Sequence, residues 1–220
     1  GLDAASAHYA TVAKQIWTYA EVGYMEERSS ALLQAELKNA GFSVKAGVAG
    51  EPTAFVAEFG SGKPVIAILG EFDALPGLSQ DTVPERKPLR AGGPGHGCGH
   101  HLFGTASTAA AIALKQWMQA NNVKGTIRMI GTPAEEGGAG KVYMVRDGVF
   151  NDVDAVIAWH PGDDNSVTGE RTMANISGKF RFHGVSAHAA AAPERGRSAL
   201  DAVEAMDVMT NMLREHIPDG

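Results

Sequence analysis

An α/β fold is predicted for this 220-residue chain by three observations. Short apolar runs ending in polar residues alternate with stretches of helical periodicity, the pattern of a sheet whose strands are joined by helices. One run, Val65 to Leu69, is apolar at every position, so both of its faces are expected to be covered. A later stretch, "GTASTAAAIALKQWM", is rich in residues small enough to let a helix lie close against a sheet.

The elements follow in order. Leu2, Ala5, Tyr9, Val12, Ile16 and Tyr19 recur at three- and four-residue intervals and predict an opening helix with one apolar stripe. A second helix is predicted from about Glu27 to Asn39, with Ala31, Leu32, Leu33 and Leu37 inward and a glycine stop in "NAGF". "TAFVAEFG" and "PVIAILGEFDALP" read as strands, and a helix starts near His101. "GTIRMIGTP" and "DAVIAWHP" read as two more strands with the helical stretch "GKVYMVRDGVF" between them. From Asn175 the pattern changes. "NISGKFRFHG" alternates, with Ile176, Phe180 and Phe182 on one face, and predicts a half-exposed strand. A helix with Leu200, Val203, Met206, Met209 and Leu213 at helical spacing follows. One strand and one helix cannot close a core, so a boundary is placed near residue 174, giving regions 1–174 and 175–220.

Composition narrows the function classes. Hydrophobic residues at 44% and charged residues at 20% are those of a soluble globular protein. No apolar run approaches the roughly 20 residues of a membrane span. A net charge of −6 argues against a nucleic-acid partner, which needs a basic face. The single cysteine excludes an intrachain disulfide framework. Nothing at the amino end reads as a signal peptide, and a cytoplasmic location is expected.

In open α/β sheets ligands sit outside the carboxyl ends of the strands, so polar residues directly after apolar runs are the ones to collect. Four such places stand out: Glu71 and Asp73, the "GHGCGHH" loop with Cys98 and His100, Glu135 with Glu136, and His160. Each alone has a plainer reading. Cys98 could be buried packing, the glutamates a solvated helix start, His160 a strand-end residue and Asp73 a turn residue. Together, thiolate, imidazole and carboxylate are the ligand set of a zinc or related divalent site. The positive end of the following helix is expected to help keep Cys98 deprotonated. Of the two adjacent glutamates, one is expected to hold metal and the other to stay free as a proton carrier. A cysteine peptidase using Cys98, and a metal-binding relative without turnover, are the competing readings.

"GEFDALPGLSQ", "GHGCGHHLFGTA", "EEGGAGKVYMVRDGVF", "WHPG" and "SAHAA" with "GRSALDA" occur in the order and spacing of the metal-dependent amidohydrolases and peptidases related to aminoacylase and carboxypeptidase G. The chain resembles that family over nearly its whole length, and most of all its aminobenzoyl-glutamate branch. The resemblance implies a zinc-peptidase-like catalytic domain with a central mixed sheet flanked by helices, then the start of an α+β lid and dimerisation domain. It implies two divalent metal ions, zinc or manganese, held by Cys98, His100, Glu136 and His160. Glu135 matches the general base and Asp73 the carboxylate that orients the site. His188 matches a lid histidine that stabilises the oxyanion, usually in the partner subunit of a homodimer. Arg195 and Arg197 are candidates for a substrate carboxylate. The implied substrate is a small acyl-amino acid, p-aminobenzoyl-glutamate above all, with general N-acyl-amino-acid hydrolysis or dipeptide hydrolysis as the alternative. Relatives often carry histidine at the position of Glu71, which is left outside the ligand set, and His96 is assigned to loop structure or to the layer behind the ligands. Because the family closes its site with a further histidine after the lid, the sequence is expected to be part of a longer protein, and this part alone to bind metal weakly or not at all and to be inactive.

Overall fold

The computed structural model describes residues 1–164, 166–167 and 176–217. The chain divides into two compact units, Gly1–Asp164 and Asn165–Gly220. The boundary expected near residue 174 falls within residues 168–175, which lie outside the described ones.

In the first unit, strands β1 (Ser43–Ala46), β2 (Phe55–Ser61), β3 (Val65–Gly70), β4 (Gly125–Gly131) and β5 (Ala155–Ile157) form one five-stranded mixed sheet, in the order β1-β2-β4-β3-β5. β3 runs parallel to both β4 and β5, so the carboxyl ends of these three strands share one edge. β2 is antiparallel to β4 and to β1. β1 is too short to carry a sequence signal of its own.

The central strands alternate cleanly. Phe55, Ala57, Ile68, Ile127 and Met129 point into a cluster with Val12, Ile16, Leu33, Leu37 and Phe72. Ala67 and Ile130 point the other way, against Val48, Ala54 and Met144, with Val56 and Leu69 alongside. Both faces of β3 are therefore covered, as its unbroken apolar run requires. Helices α1 (Leu2–Tyr19), α2 (Glu27–Asn39) and α3 (His100–Asn121) supply the first layer, and α5 (Gly140–Arg146) belongs to the second. Ile16, Leu33 and Leu37 are fully buried, each worth about 1.5–3 kcal/mol of apolar transfer.

Two helix faces differ from expectation. Leu2 at the start of α1 is half exposed, and burial there centres on Val12, Ala13 and Ile16. On α2, Ala31 faces solvent while Ser29 and Ser30 are buried. Polar contacts set that rotation: the Ser29 hydroxyl donates to the Glu21 carboxylate at 2.8 Å, and the Ser30 hydroxyl to the Thr53 carbonyl at 2.7 Å. α2 stops as its glycine suggests. Gly41 turns left-handed at φ 82°, and the amides of Gly41 and Phe42 reach back to the carbonyls of Lys38 and Leu37, each at 2.9 Å.

The small residues of α3 let it approach the sheet. A Cβ added at Gly70 would stand 3.2 Å from the Cα of Gly104 and 3.3 Å from the Cβ of Ser107. The next strand is as tightly fitted, since a Cβ at Gly131 would overlap the buried ring of Phe55. Gly131→Ala is expected to destabilise the protein by about 1–3 kcal/mol through overpacking, read as a lower midpoint in urea.

In the second unit, helix α6 (Ala199–Met212) is capped by Ser198, whose hydroxyl accepts the Asp201 amide at 3.1 Å. Val185 and Arg197 form a short antiparallel bridge. The alternating residues 176–183 do not form a strand, and Ile176 and Phe180 are exposed. Leu200, Val203 and Met209 of α6, and Leu213 just after it, are likewise exposed.

Candidate metal centre and catalytic site

The topology gathers the predicted residues at one edge. Glu71 and Asp73 follow β3, Glu135 and Glu136 follow β4, His160 follows β5, and Cys98 and His100 stand at the start of α3. The Cys98 sulfur, one ring nitrogen of His100 and one carboxylate oxygen of Glu136 all lie within 4.8 Å of one another. Nε2 of His160 is 3.2 Å from the Cys98 sulfur. Of the four residues expected to hold metal, Cys98, His100 and Glu136 form one cluster, and His160 stands beside it against Cys98.

Local backbone makes this possible. Gly99 is left-handed at φ 97°, which turns the chain between Cys98 and His100 and starts α3. The turn that carries the two glutamates, α4 (Glu135–Gly138), is entered through Ala134, left-handed at φ 55° and ψ 41°. Asp73, which is 1% exposed, joins the two segments. Its Oδ1 accepts from Nδ1 of His100 at 2.8 Å, and its Oδ2 accepts the Glu136 amide at 2.9 Å. The first bond puts the His100 proton on Nδ1 and leaves Nε2 free to act as a ligand.

That nitrogen and Oε1 of Glu136 are both buried without an aligned hydrogen-bond partner. Around Nε2 of His100 lie carboxylate oxygens of Glu71 at 3.1 Å, Glu135 at 3.7 Å and Glu136 at 3.9 Å. Buried, unpartnered ligand atoms among several carboxylates form a place for a cation.

The electrostatics agree. Burial pulls the His100 pKa down, but its Asp73 bond and the charges of Asp73, Glu71 and Glu136 outweigh this and raise it. Burial pushes the Glu136 carboxyl up, with His100 opposing and Glu135 and Asp73 adding to the rise. Asp73 goes the other way: burial would raise it, and the bonds from His100 and the Glu136 amide hold it low. Cys98 is pushed up to about 11, first by burial and then by Glu136, Glu135 and Glu71. Burial and the surrounding carboxylates thus act against the help expected from the start of α3. A thiolate here needs a positive partner.

Sequence reasoning missed several neighbours. Glu71 is paired with Lys141 of α5, a lysine whose helical setting looks like any solvated face. Phe103, 3% exposed, packs its ring 5.2 Å from His100, 5.5 Å from His160 and 4.5 Å from Trp159. Glu26, fully buried, accepts the Ala134 amide just before the glutamate turn. His96 does serve the loop: its Nε2 lies 3.1 Å from the Ile16 carbonyl, its ring packs on His101, and burial lowers its pKa to about 4. His188 belongs to the second unit, where Nδ1 accepts the amides of Ala190 and Ala191 at 3.2 and 3.1 Å.

Residues 67–213 match the family described as Peptidase family M20/M25/M40. The chain belongs to this family. It is 50% identical over 217 residues to one of the subunits of p-aminobenzoyl-glutamate hydrolase from Escherichia coli (strain K12), covering 98% of this chain and 45% of that protein. It is 30% identical to the Xaa-Arg dipeptidase of Mus musculus, covering 98% of this chain and 49% of the relative. Among solved structures, a dinuclear metal-binding M20 peptidase from Bacillus subtilis superposes with a TM-score of 0.63 at 26% identity, over 74% of this chain and 45% of its own. The chain spans about half the length of the curated relatives it matches. As an M20-family chain its α/β architecture is the expected one, and no helix among its described residues is long and apolar enough to cross a membrane.

Proposed function

We propose that this chain carries the metal centre of an amidohydrolase that cleaves the amide bond of N-acyl amino acids, with p-aminobenzoyl-glutamate, giving p-aminobenzoate and glutamate, as the favoured substrate. The observation that carries this reading is the convergence of Cys98, His100 and Glu136 within 4.8 Å, with buried, unpartnered ligand atoms on His100 and Glu136. The Escherichia coli relative supports the substrate, and the Bacillus subtilis structure supports a pair of divalent ions. Zinc suits the thiolate and imidazole donors, and manganese is the alternative.

Cys98, His100, Glu136 and His160 would hold the metal, with Asp73 orienting His100 and Glu136 together. A bound divalent ion would supply an acidified water and an electrophile for the carbonyl oxygen. Glu135, 43% exposed at its side chain, is the group free to move protons. It takes one from the attacking water as the carbon–oxygen bond forms. It delivers that proton to the amide nitrogen as the carbon–nitrogen bond breaks, so that the amino acid leaves as an amine. On the family resemblance His188 is assigned to the oxyanion across a homodimer formed through residues 175–220, and Arg195 and Arg197 are candidates for the substrate carboxylate. The Escherichia coli relative is one component of a hydrolase with named subunits, which adds a different polypeptide to the candidate partners. A reducing cytoplasm suits the free thiol of Cys98.

The test is release of p-aminobenzoate by the purified, metal-loaded whole protein, beside a panel of N-acetyl amino acids and dipeptides. Hydrolysis that is highest on p-aminobenzoyl-glutamate and is abolished by a chelator is the expected result. Activity that survives the chelator would assign the chemistry to the Cys98 thiol and overturn the proposal. Preference for a dipeptide would move the substrate towards that of the mouse relative.

A further inference from the structure

The connection between α1 and α2 touches both carboxylate-bearing loops of the site. The Ala74 amide, next to Asp73, donates to the Glu21 carbonyl at 2.8 Å, and Val22 bridges Ala74. On the other loop, the Tyr24 hydroxyl donates to the Gly138 carbonyl at 2.7 Å. The Ala134 amide donates to Oε1 of Glu26 at 2.8 Å, and the Thr53 hydroxyl to its Oε2 at 2.9 Å. Gly23 lets this segment come close, since a Cβ there would stand 2.9 Å from the Cα and Cβ of Ala134.

The contacts meet where the backbone is least at ease. Ala134 is fully buried and left-handed, a conformation that costs a non-glycine residue about 1–3 kcal/mol and persists only when its surroundings impose it. The residue after it is Glu135. Glu26 is itself an expensive group to bury, and burial raises its pKa.

We propose that Glu26 and Tyr24 are positioning residues, which clasp the Ala134–Gly138 turn in the conformation that presents Glu135 to the substrate and Glu136 to the metal. Glu26 acts through the Ala134 amide and Tyr24 through the Gly138 carbonyl, one at each end of the turn. Without the Glu26 carboxylate the buried amide loses its acceptor, and Ala134 is released towards the right-handed region. That rotation would swing both glutamates. The kinetic part of this inference rests on the proposed hydrolytic function, and its backbone part does not.

The experiment compares Glu26→Ala, Glu26→Gln and Tyr24→Phe in the metal-loaded protein. Three quantities are read: kcat and KM for p-aminobenzoyl-glutamate, thermal midpoint, and hydrogen exchange in peptides spanning residues 132–139. Glu26→Ala is expected to lower kcat by roughly 10- to 100-fold with little change in KM, and to speed exchange in the turn. Glu26→Gln keeps an oxygen for the Ala134 amide and is expected to restore kcat and slow exchange. Tyr24→Phe, at a residue that is 37% exposed, is expected to fold normally and lower kcat several-fold. A folded Glu26→Ala protein with wild-type kcat and exchange would overturn the proposal, as would a Gln variant no better than the Ala one. If Glu26→Ala does not fold, Tyr24→Phe decides, and unchanged kcat and exchange there overturn the clasp. If the wild-type protein hydrolyses no acyl-amino acid, the functional reading fails while exchange still decides the clasp.

Discussion

Glu135→Gln is expected to cut kcat for p-aminobenzoyl-glutamate by about 10²-fold or more while metal content stays at the wild-type level. The substitution keeps size and shape and removes only the capacity to carry a proton. Glu135 is the more exposed of the two adjacent glutamates, with its side chain at 43% against 18% for Glu136. It is Glu136 that clusters with Cys98 and His100 and has a buried, unpartnered oxygen. Glu136→Ala should therefore do the opposite and lower metal occupancy in elemental analysis. If Glu135→Gln empties the site while Glu136→Ala keeps its metal, the two roles are exchanged.

His100→Ala is expected to remove metal binding and also to destabilise the fold by about 3 kcal/mol. The second effect arises because Asp73 would remain ionised and buried with its principal partner gone. Backbone amides, that of Glu136 first, would then be left to answer the carboxylate of a residue that is 1% exposed. Metal titration followed by urea unfolding of the metal-free proteins separates the two effects. A metal-free variant as stable as its metal-free parent would show that the Asp73 bond contributes nothing to the fold. Asp73→Asn is expected to be gentler, weakening metal affinity by roughly 10- to 100-fold without abolishing it, as for other residues that orient a ligand from behind.

Much of the architecture is legible in the sequence because it is written in periodicity. The unbroken apolar run of β3, the three- and four-residue spacing of α1 and the small residues of α3 each point to the layer in which the element sits. The gathering of Asp73, Glu136 and His160 is legible too, since residues that follow parallel strands share an edge. What stays hidden is set by partners far along the chain. Glu26 and Ala134 are 108 residues apart, and nothing local in "YMEERSS" marks one glutamate for burial. Lys141 reads as a solvated lysine until Glu71 is placed beside it. Ser29 and Ser30 displace Ala31 from the buried face of α2 because their hydroxyls find acceptors that a periodicity count does not weigh. Cys98 shows the same limit in electrostatic form, because its thiol is raised first by burial and then by carboxylates from two other loops, neither of which a local reading weighs.

The unequal anchoring of the strands sets an order in which the centre would come apart. His100 and Glu136 hang from α3 and from the loop after β4, a seven-residue strand paired on both sides. His160 follows β5, which has three residues, all exposed, and pairs only with β3 among the described residues. Short, solvent-facing ladders open at little free-energy cost, whereas central strands open only with the whole domain. Amides of β5 should exchange long before those of β3 and β4, and a metal held in part by His160 would escape through that local fraying. Chelator-driven release should then follow the β5 opening rate and saturate at high chelator, leaving the rest of the sheet intact.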